Sequence, residues 1–351
     1  MGRKRENRLG PAQRQALQAK EVLEELYRRV HRPVCELKVS QTPCSIFDSH
    51  IGGLPYCPHD SQLPVGEKGD QLRLMLQINF AQMPAMSPFP NNGILQFFLP
   101  DWDSAFVGYQ GMEHWTEQKD WRVAYYPEPD LSVTEEDVRR KVTVGPAVVG
   151  EGRDRKLVSS IFLDNIVYKL HFLPVHEEGI TRSDFRFWPK FLEVWQETCS
   201  DPPPERFWPK LADFRETGIP TSLDHIKAND LWHNLDYIAS SPHNKIGGYP
   251  AFPKDDPRTV LPECAGSECP WDTVLLHIES DFIDVEDRLQ GYYPINFGEN
   301  GRATFFIREE DLRRRDFSKV GYYWQDDSDS EGFKLLYGES WKPTRRHELS
   351  P

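Results

Sequence analysis

The sequence predicts an α+β fold: internally duplicated β-rich repeats related by an approximate two-fold, with an N-terminal helix and a central helical segment. Three observations predict it. First, the phrase IGGLPYCPHD at 51–60 returns as IGGYPAFPKD at 246–255. Second, the phrases that follow, LMLQINF and NGILQFFLPD, have counterparts VLLHIES and NGRATFFIREED in the same order. Gly52 and Gly53 correspond to Gly247 and Gly248, Gln77 to His277, and Phe97 and Phe98 to Phe305 and Phe306. The offset grows only from 195 (52 to 247) to 208 (97 to 305), as small loop insertions require, so the order points to an internal duplication. Third, helical periodicity is confined to residues 11–30 and about 185–240. The domains expected are an N-terminal helix (1–34), a first repeat (35–150), a connecting, partly helical segment (151–240) and a second repeat (241–351).

Residues 11–30 place Leu17, Val22, Leu26 and Val30 roughly on one stripe, with Pro11 at the first turn and Pro33 as the stop. LRLMLQINF at 72–80 alternates with period 2: Leu72, Leu74, Leu76, Ile78 and Phe80 on one face, Arg73, Met75, Gln77 and Asn79 on the other. That is the pattern of a half-buried strand. Residues 93–100 form a second strand, opened by PNNG and closed by Pro100, and 121–127 a third. RFWPK occurs at 186–190 and again at 206–210, each proline suited to the first turn of a short helix. The aromatics there are read as buried core, with a docking surface as the sharper alternative. In the second half, 301–307 is the strand corresponding to 93–99. The glycine pairs suit a backbone corner with positive φ or close approach, and the prolines after them an extended run. A ligand-cradling glycine loop is the functional alternative, although a phosphate loop normally opens a helix.

The chain has 351 residues, 38% hydrophobic and 28% charged, with 20 Phe, 13 Tyr and 10 Trp, which marks a globular rather than a disordered chain. The net charge of -13 argues against a general nucleic-acid surface and suits a basic protein partner. Residues 1–30 contain no continuous apolar run, and no stretch approaches a membrane span, so neither a leader nor membrane association is expected. Glu6 stands where a myristoylation signal wants Ser or Thr. Six scattered cysteines read as mostly free thiols in a reducing cytoplasm.

No G-x-S-x-G, Walker loop, H-E-x-x-H or C-x-x-C occurs, and no cofactor is expected. Cys264 and Cys269, spaced C-x4-C, read as two loop cysteines rather than half of a zinc site. In HIESD, His277, Glu279 and Asp281 share one face of a strand and could bind a metal or a ligand, or move protons; a solvent-facing polar stripe is the preferred reading. The first repeat carries Gln77, Asn79 and Ala81 at these positions, which argues against a shared ancestral metal site. DDSDSEG at 326–332 imitates the start of a calcium loop through Asp327, Asp329 and Glu331, but Gly338 stands where the bidentate glutamate belongs. It reads as a solvated acidic turn.

The phrases HIGGLPYCPHD, LMLQINFAQMP and NNGILQFFLPD resemble the first half of the YwqG-like bacterial family. NKIGGYPAFPKD, LLHIESDF and the stretch from 298 to 325 resemble its second half. The resemblance covers about 40–340 and implies a duplicated α+β fold. It also suggests an immunity role for some members, with no catalytic residues to carry over. Leu63 and Pro64 stand where the family usually has Trp-Pro, His277 where it has Gln, and the 255–272 loop is longer.

Two functions follow. One is a cytoplasmic protein-binding module, such as an immunity protein that neutralises a basic toxin through Asp281, Asp284, Asp326, Asp327 and Asp329. The other is an enzyme or a small-ligand or metal-binding protein with a site between the repeats, using His277, Glu279 and Asp281. A cleft with perturbed carboxylates and histidines distinguishes the second from the first.

Overall fold

The computed structural model describes residues 11–101, 107–159, 161–162, 164–203, 244–253, 255–264, 268–280, 295–298 and 301–326. In chain order the elements are α1 (Pro11–Arg29), β1 (His31–Ser40), β2 (His50–Ile51), β3 (Arg73–Asn79), β4 (Ile94–Leu99) and β5 (Arg122–Tyr126). Next come α2 (Glu135–Arg139), β6 (Val148–Val149), β7 (Lys156–Leu157), β8 (Tyr168–Phe172), β9 (His176–Gly179) and α3 (Phe187–Thr198). The last are β10 (Lys245–Gly247), β11 (Thr273–Glu279), β12 (Arg302–Ile307), α4 (Glu309–Arg314) and β13 (Gly321–Gln325). The fold is α+β, dominated by one antiparallel sheet.

The chain divides into two compact units. One comprises Met1–Pro33, Glu177–Pro242 and Gly248–Ala251; the other Val34–His176, His243–Gly247 and Phe252–Pro351. In the first, α1 buries Ala16, Ala19, Val22, Leu23 and Leu26 in a cluster with Phe187, Phe191, Val194 and Trp195 of α3. Two alanines at i, i+3 spacing permit close helix approach, so the buried stripe is rotated from the expected one and Leu17 is left exposed. Pro189 lies in the first turn of α3 as expected. The second RFWPK lies outside the described residues.

The second unit holds the sheet, whose path runs β13-β12-β11-β10-β1-β8-β2-β3-β4-β5 with every neighbouring pair antiparallel; β9 also pairs with β1. The order reads as two four-stranded meanders joined through β1 and β8. The N-terminal meander is β2-β3-β4-β5 and the C-terminal one β10-β11-β12-β13. β1, which precedes the first meander, pairs with β10, whereas β8, which precedes the second, pairs with β2.

The meanders have matching registers. Leu76 faces Phe97 and Gln77 faces Gln96 in one; Leu276 faces Phe305 and His277 faces Thr304 in the other. Each has a register shift at the same place, between Leu74 and Leu76 and between Val274 and Leu276. Gly52, Gly53, Gly247 and Gly248 all have φ between +66° and +77°, a region that side chains with a Cβ rarely adopt. The glycine phrase is therefore a left-handed corner at the end of a short strand.

The bulge corrects the alternation read from the sequence. It turns Leu74 to the side of Phe98 and Tyr56, while Met75, Leu76 and Ile78 enter the core with Phe97 and Phe305. Both faces of β3 and β4 are covered, so β3 is fully rather than half buried. Phe97 and Phe305 touch with ring centroids 4.7 Å apart, and Phe305 stacks on Tyr322 at the same spacing. Such ring pairs contribute about 0.5–1.5 kcal/mol beyond their burial.

Candidate functional site

A cleft of about 800 Å³ opens in the N-terminal half, beside the Gly52–Gly53 corner. Three loops build it: the one after β1, the one around 142–147, and the one before β8. Gln77 fixes the first. Its Nε2 donates to the carbonyls of Ile46 and Asp48, both at 2.8 Å, and its Oε1 accepts from the Tyr56 amide at 2.9 Å and from Gln96 Nε2 at 2.6 Å. This amide is buried, and its bonds hold the loop backbone that walls the cleft. Asp48 closes the same loop by accepting from Ser45 N at 2.7 Å. Burial by itself would raise the Asp48 carboxyl, but bonds from Ser45, Gln82 and Lys169 hold it at about 2.

His50 lies on the cleft wall. Its Nδ1 donates to the Gly52 carbonyl at 2.7 Å, which leaves the lone pair on Nε2. Burial pushes its pKa down to about 4, outweighing the Gly52 bond, so the ring is neutral. Arg73 enters from β3. It forms a bidentate pair with Asp101, with Nη2 to Oδ2 at 2.6 Å, donates to Gly145 O at 2.6 Å, and lies 6.0 Å from the Phe162 ring centroid. Glu135 and Arg139 pair across one turn of α2 at 3.3 Å. Asp164 accepts from Tyr168 Oη at 2.9 Å and from the Ile166 amide at 2.8 Å. Each charged group of the lining thus has a partner in the protein, and between these groups the wall mixes apolar residues such as Leu54, Leu72 and Val144 with neutral polar ones such as Thr42, Gln71 and Asn165.

In the C-terminal half the positions of Gln77 and Asn79 carry His277 and Glu279. They are brought together but not exposed, which overturns the expected solvent-facing stripe. His277 is fully buried: Nδ1 meets Thr304 Oγ1 at 2.8 Å, and Nε2 lies 3.5 Å from Glu279 Oε1, longer than a normal hydrogen bond. Glu279 Oε1 lies 2.9 Å from Arg302 Nε. Desolvation lowers the His277 pKa despite Glu279. The Glu279 carboxyl is lowered because His277 and Arg302 outweigh its burial. The cluster is a neutral imidazole beside an ion pair, set into the sheet. The register places Glu36, Lys245, His277, Thr304 and Tyr323 in one row across β1, β10, β11, β12 and β13. Asp281 lies outside the described residues. Among the described residues, no group of three or more His, Cys, Asp or Glu side chains could hold a metal ion.

Asp326 is half-buried at the end of β13; Asp284, Asp327 and Asp329 lie outside the described residues. Cys264 and Cys269, with Cα atoms 4.1 Å apart, form a disulfide rather than two free loop thiols. Cys35, Cys44, Cys57 and Cys199 are free. No helix of the described residues is long and apolar enough to cross a membrane.

Residues 49–325 match the family described as Domain of unknown function (DUF1963). The chain belongs to that family. The match runs from the strand before the first glycine corner to the last residue of β13, so the DUF1963 region contains both meanders and most of the cleft wall. No curated protein matches the chain. The glycine corner was visible in the sequence as a repeated phrase. The rest of the lining, including Arg73, Glu135, Arg139 and Asp164, was not, since each residue taken singly reads as an ordinary surface or strand position.

Proposed function

We propose that this DUF1963 protein binds a small, uncharged, partly apolar molecule in the cleft beside Gly52 and Gly53. The observation that carries the reading is the internal pairing of the cleft's charges: Arg73 with Asp101, Arg139 with Glu135, and Asp164 with backbone and tyrosine donors. A charged ligand would have to displace one of these partners, whereas a neutral one meets apolar wall and the hydrogen-bonding edge of the loops. The test is a thermal-shift screen of the full chain against uncharged, acidic and basic fragment sets, repeated on Ile166→Trp. Ile166 lines the cleft and is 40% exposed, so the indole can fill the space without entering the core. Neutral hits lost in Ile166→Trp support the reading; hits that survive it, or none at all, remove it.

A second reading is a protein-binding module. Net charge -13 favours it, because an acidic surface speeds encounter with a basic partner such as a toxin. Charge reversal at Asp281, Asp284, Asp326, Asp327 and Asp329 then cuts the association rate in a pull-down and kinetic assay, and added salt does the same to the parent.

We further infer that the two meanders are duplicated copies related by an approximate two-fold and that the chain is YwqG-like. The matching registers, the shared bulge and the Phe97–Phe305 contact between corresponding residues support the duplication.

A further inference from the structure

A second cleft, of about 470 Å³, lies where β5 meets the turn between α4 and β13. Gln118, Lys119, Arg122, Tyr125, Arg315 and Phe317 line it with Val123 and Ser318, and no carboxylate is among them. Three cations therefore share one small concavity in a chain of net charge -13. Their partners differ from those of other arginines. Arg29, Arg73, Arg139, Arg186, Arg258, Arg302 and Arg313 each form an ion pair. Among the described residues, Arg122 and Arg315 form none, and Lys119 pairs only with the exposed Glu117 at 2.7 Å.

The cleft is held in shape. Gln118 Nε2 donates to Phe317 O at 2.8 Å, and its Oε1 accepts from Val123 N at 2.7 Å, so one side chain ties both walls together. Tyr125 and Phe317 form an aromatic floor with centroids 4.9 Å apart, and Tyr125 is fixed by donating to Asn92 O at 2.9 Å. Arg315 caps α4 with φ +60°, where glycine is the usual residue, so the backbone carries a penalty to keep a guanidinium on this rim.

We propose that this cleft binds the oxyanion group of a small organic ligand, a carboxylate or a phosphate ester. Arg122, Arg315 and Lys119 hold the oxyanion, and the ligand's apolar part lies on the Tyr125–Phe317 floor. Guanidinium groups suit the task because they donate in a planar fork to such oxygens and are weakly hydrated. The site is separate from the first cleft in residues and in charge, so the two stand or fall independently.

The test is calorimetric titration of the full chain at low salt with phenyl phosphate, benzoate, inorganic phosphate and, as the uncharged control, phenol. Phenyl phosphate or benzoate should bind saturably, at least tenfold more tightly than phenol, and weaken as salt rises. Arg122→Gln and Arg315→Gly should each reduce that affinity tenfold or more. Arg315→Gly should raise the melting temperature, which separates loss of the site from loss of the fold. A preference between the two ring-bearing probes identifies the oxyanion, and either preference supports the site. Equal binding of phenol, no saturable binding of any anion, or affinity unchanged in both variants overturns the proposal, and Ile166→Trp should leave anion binding as it was.

Discussion

Replacing Gly53 separates backbone strain from crowding. Gly53 has φ +73°, and a Cβ built on it would lie 2.8 Å from Val167 Cγ2 and 3.0 Å from Cγ1. Two penalties therefore act together. A left-handed backbone costs an L-residue about 1–2 kcal/mol. The contact forces Val167 off its position or rotamer for about 1 kcal/mol more. Gly53→Ala should destabilise by about 2 kcal/mol and Gly53→Val, which adds a branched side chain at the same point, by about 3 kcal/mol. Gly69 supplies the comparison, since it has φ +87° with nothing within 4 Å of its Cβ position. Gly69→Ala should show the backbone part alone, about 1 kcal/mol, and the loss of unfolded-state freedom is common to both and cancels. The assay is urea unfolding of the four combinations of Gly53→Ala and Val167→Ala, from which the coupling is read directly. A coupling near 1 kcal/mol is expected. If Gly53→Ala costs no more than Gly69→Ala and does not couple to Val167→Ala, the close approach plays no part and the corner is held by φ alone.

Gly248 has φ +66° and donates its N–H to Pro33 O at 2.9 Å, so Gly248→Val should lower stability by about 1–2 kcal/mol in a thermal melt. The buried pair Asp256–Arg258, with Nη2 to Oδ2 at 2.6 Å, should make Asp256→Ala cost about 3–5 kcal/mol by leaving a guanidinium buried and unpaired; Asp256→Ala with Arg258→Met should recover much of that. His50 has its pKa lowered to about 4 in the folded chain against the ordinary 6.5. The unfolded state therefore binds the proton first, and the neutral ring's stability is complete above about pH 6.5 and lost as pH falls towards 4. The full loss is about 3 kcal/mol. Urea midpoints should fall across that window, and His50→Gln should flatten the slope; an equal slope in the variant would assign it to other groups such as His277.

Strands β3, β4, β5, β11 and β12 were legible because apolar runs such as ILQFFL leave few alternatives to a strand, whereas β1, β8 and β13 were not read from the sequence. The ordered phrases also placed Gly52, Gly53, Gly247 and Gly248 at corners, and all four have positive φ. The bulge was hidden because the extra residue, Met75, is itself apolar, so the letters still alternate acceptably while the backbone does not. His277 was misjudged for the opposite reason: polarity suggested water, but Thr304 supplies a partner that only the pairing of β11 with β12 brings near. Both clefts were invisible. Their walls come from loops far apart in sequence, and a guanidinium that is paired, like Arg73, cannot be told by letter from one that is not, like Arg122.

The crossed placement of β1 and β8 sets a timetable for synthesis. Val34 is made roughly 210 residues before its partner Gly247, on the order of 10–40 s at ordinary elongation rates. Through that interval the backbone edge of Val34–Glu36 has no strand to bond, and another nascent chain offers the same edge. β8 has no such wait, because β2 is already present when it emerges. Charge near the open edge limits mispairing while it lasts: Arg32, Glu36 and Lys38 punctuate β1 at intervals too short for a flat apolar run. The ribosome therefore releases a chain in which β1 is held through Leu37–Ser40 by β8 well before its Val34–Glu36 edge is closed by β10.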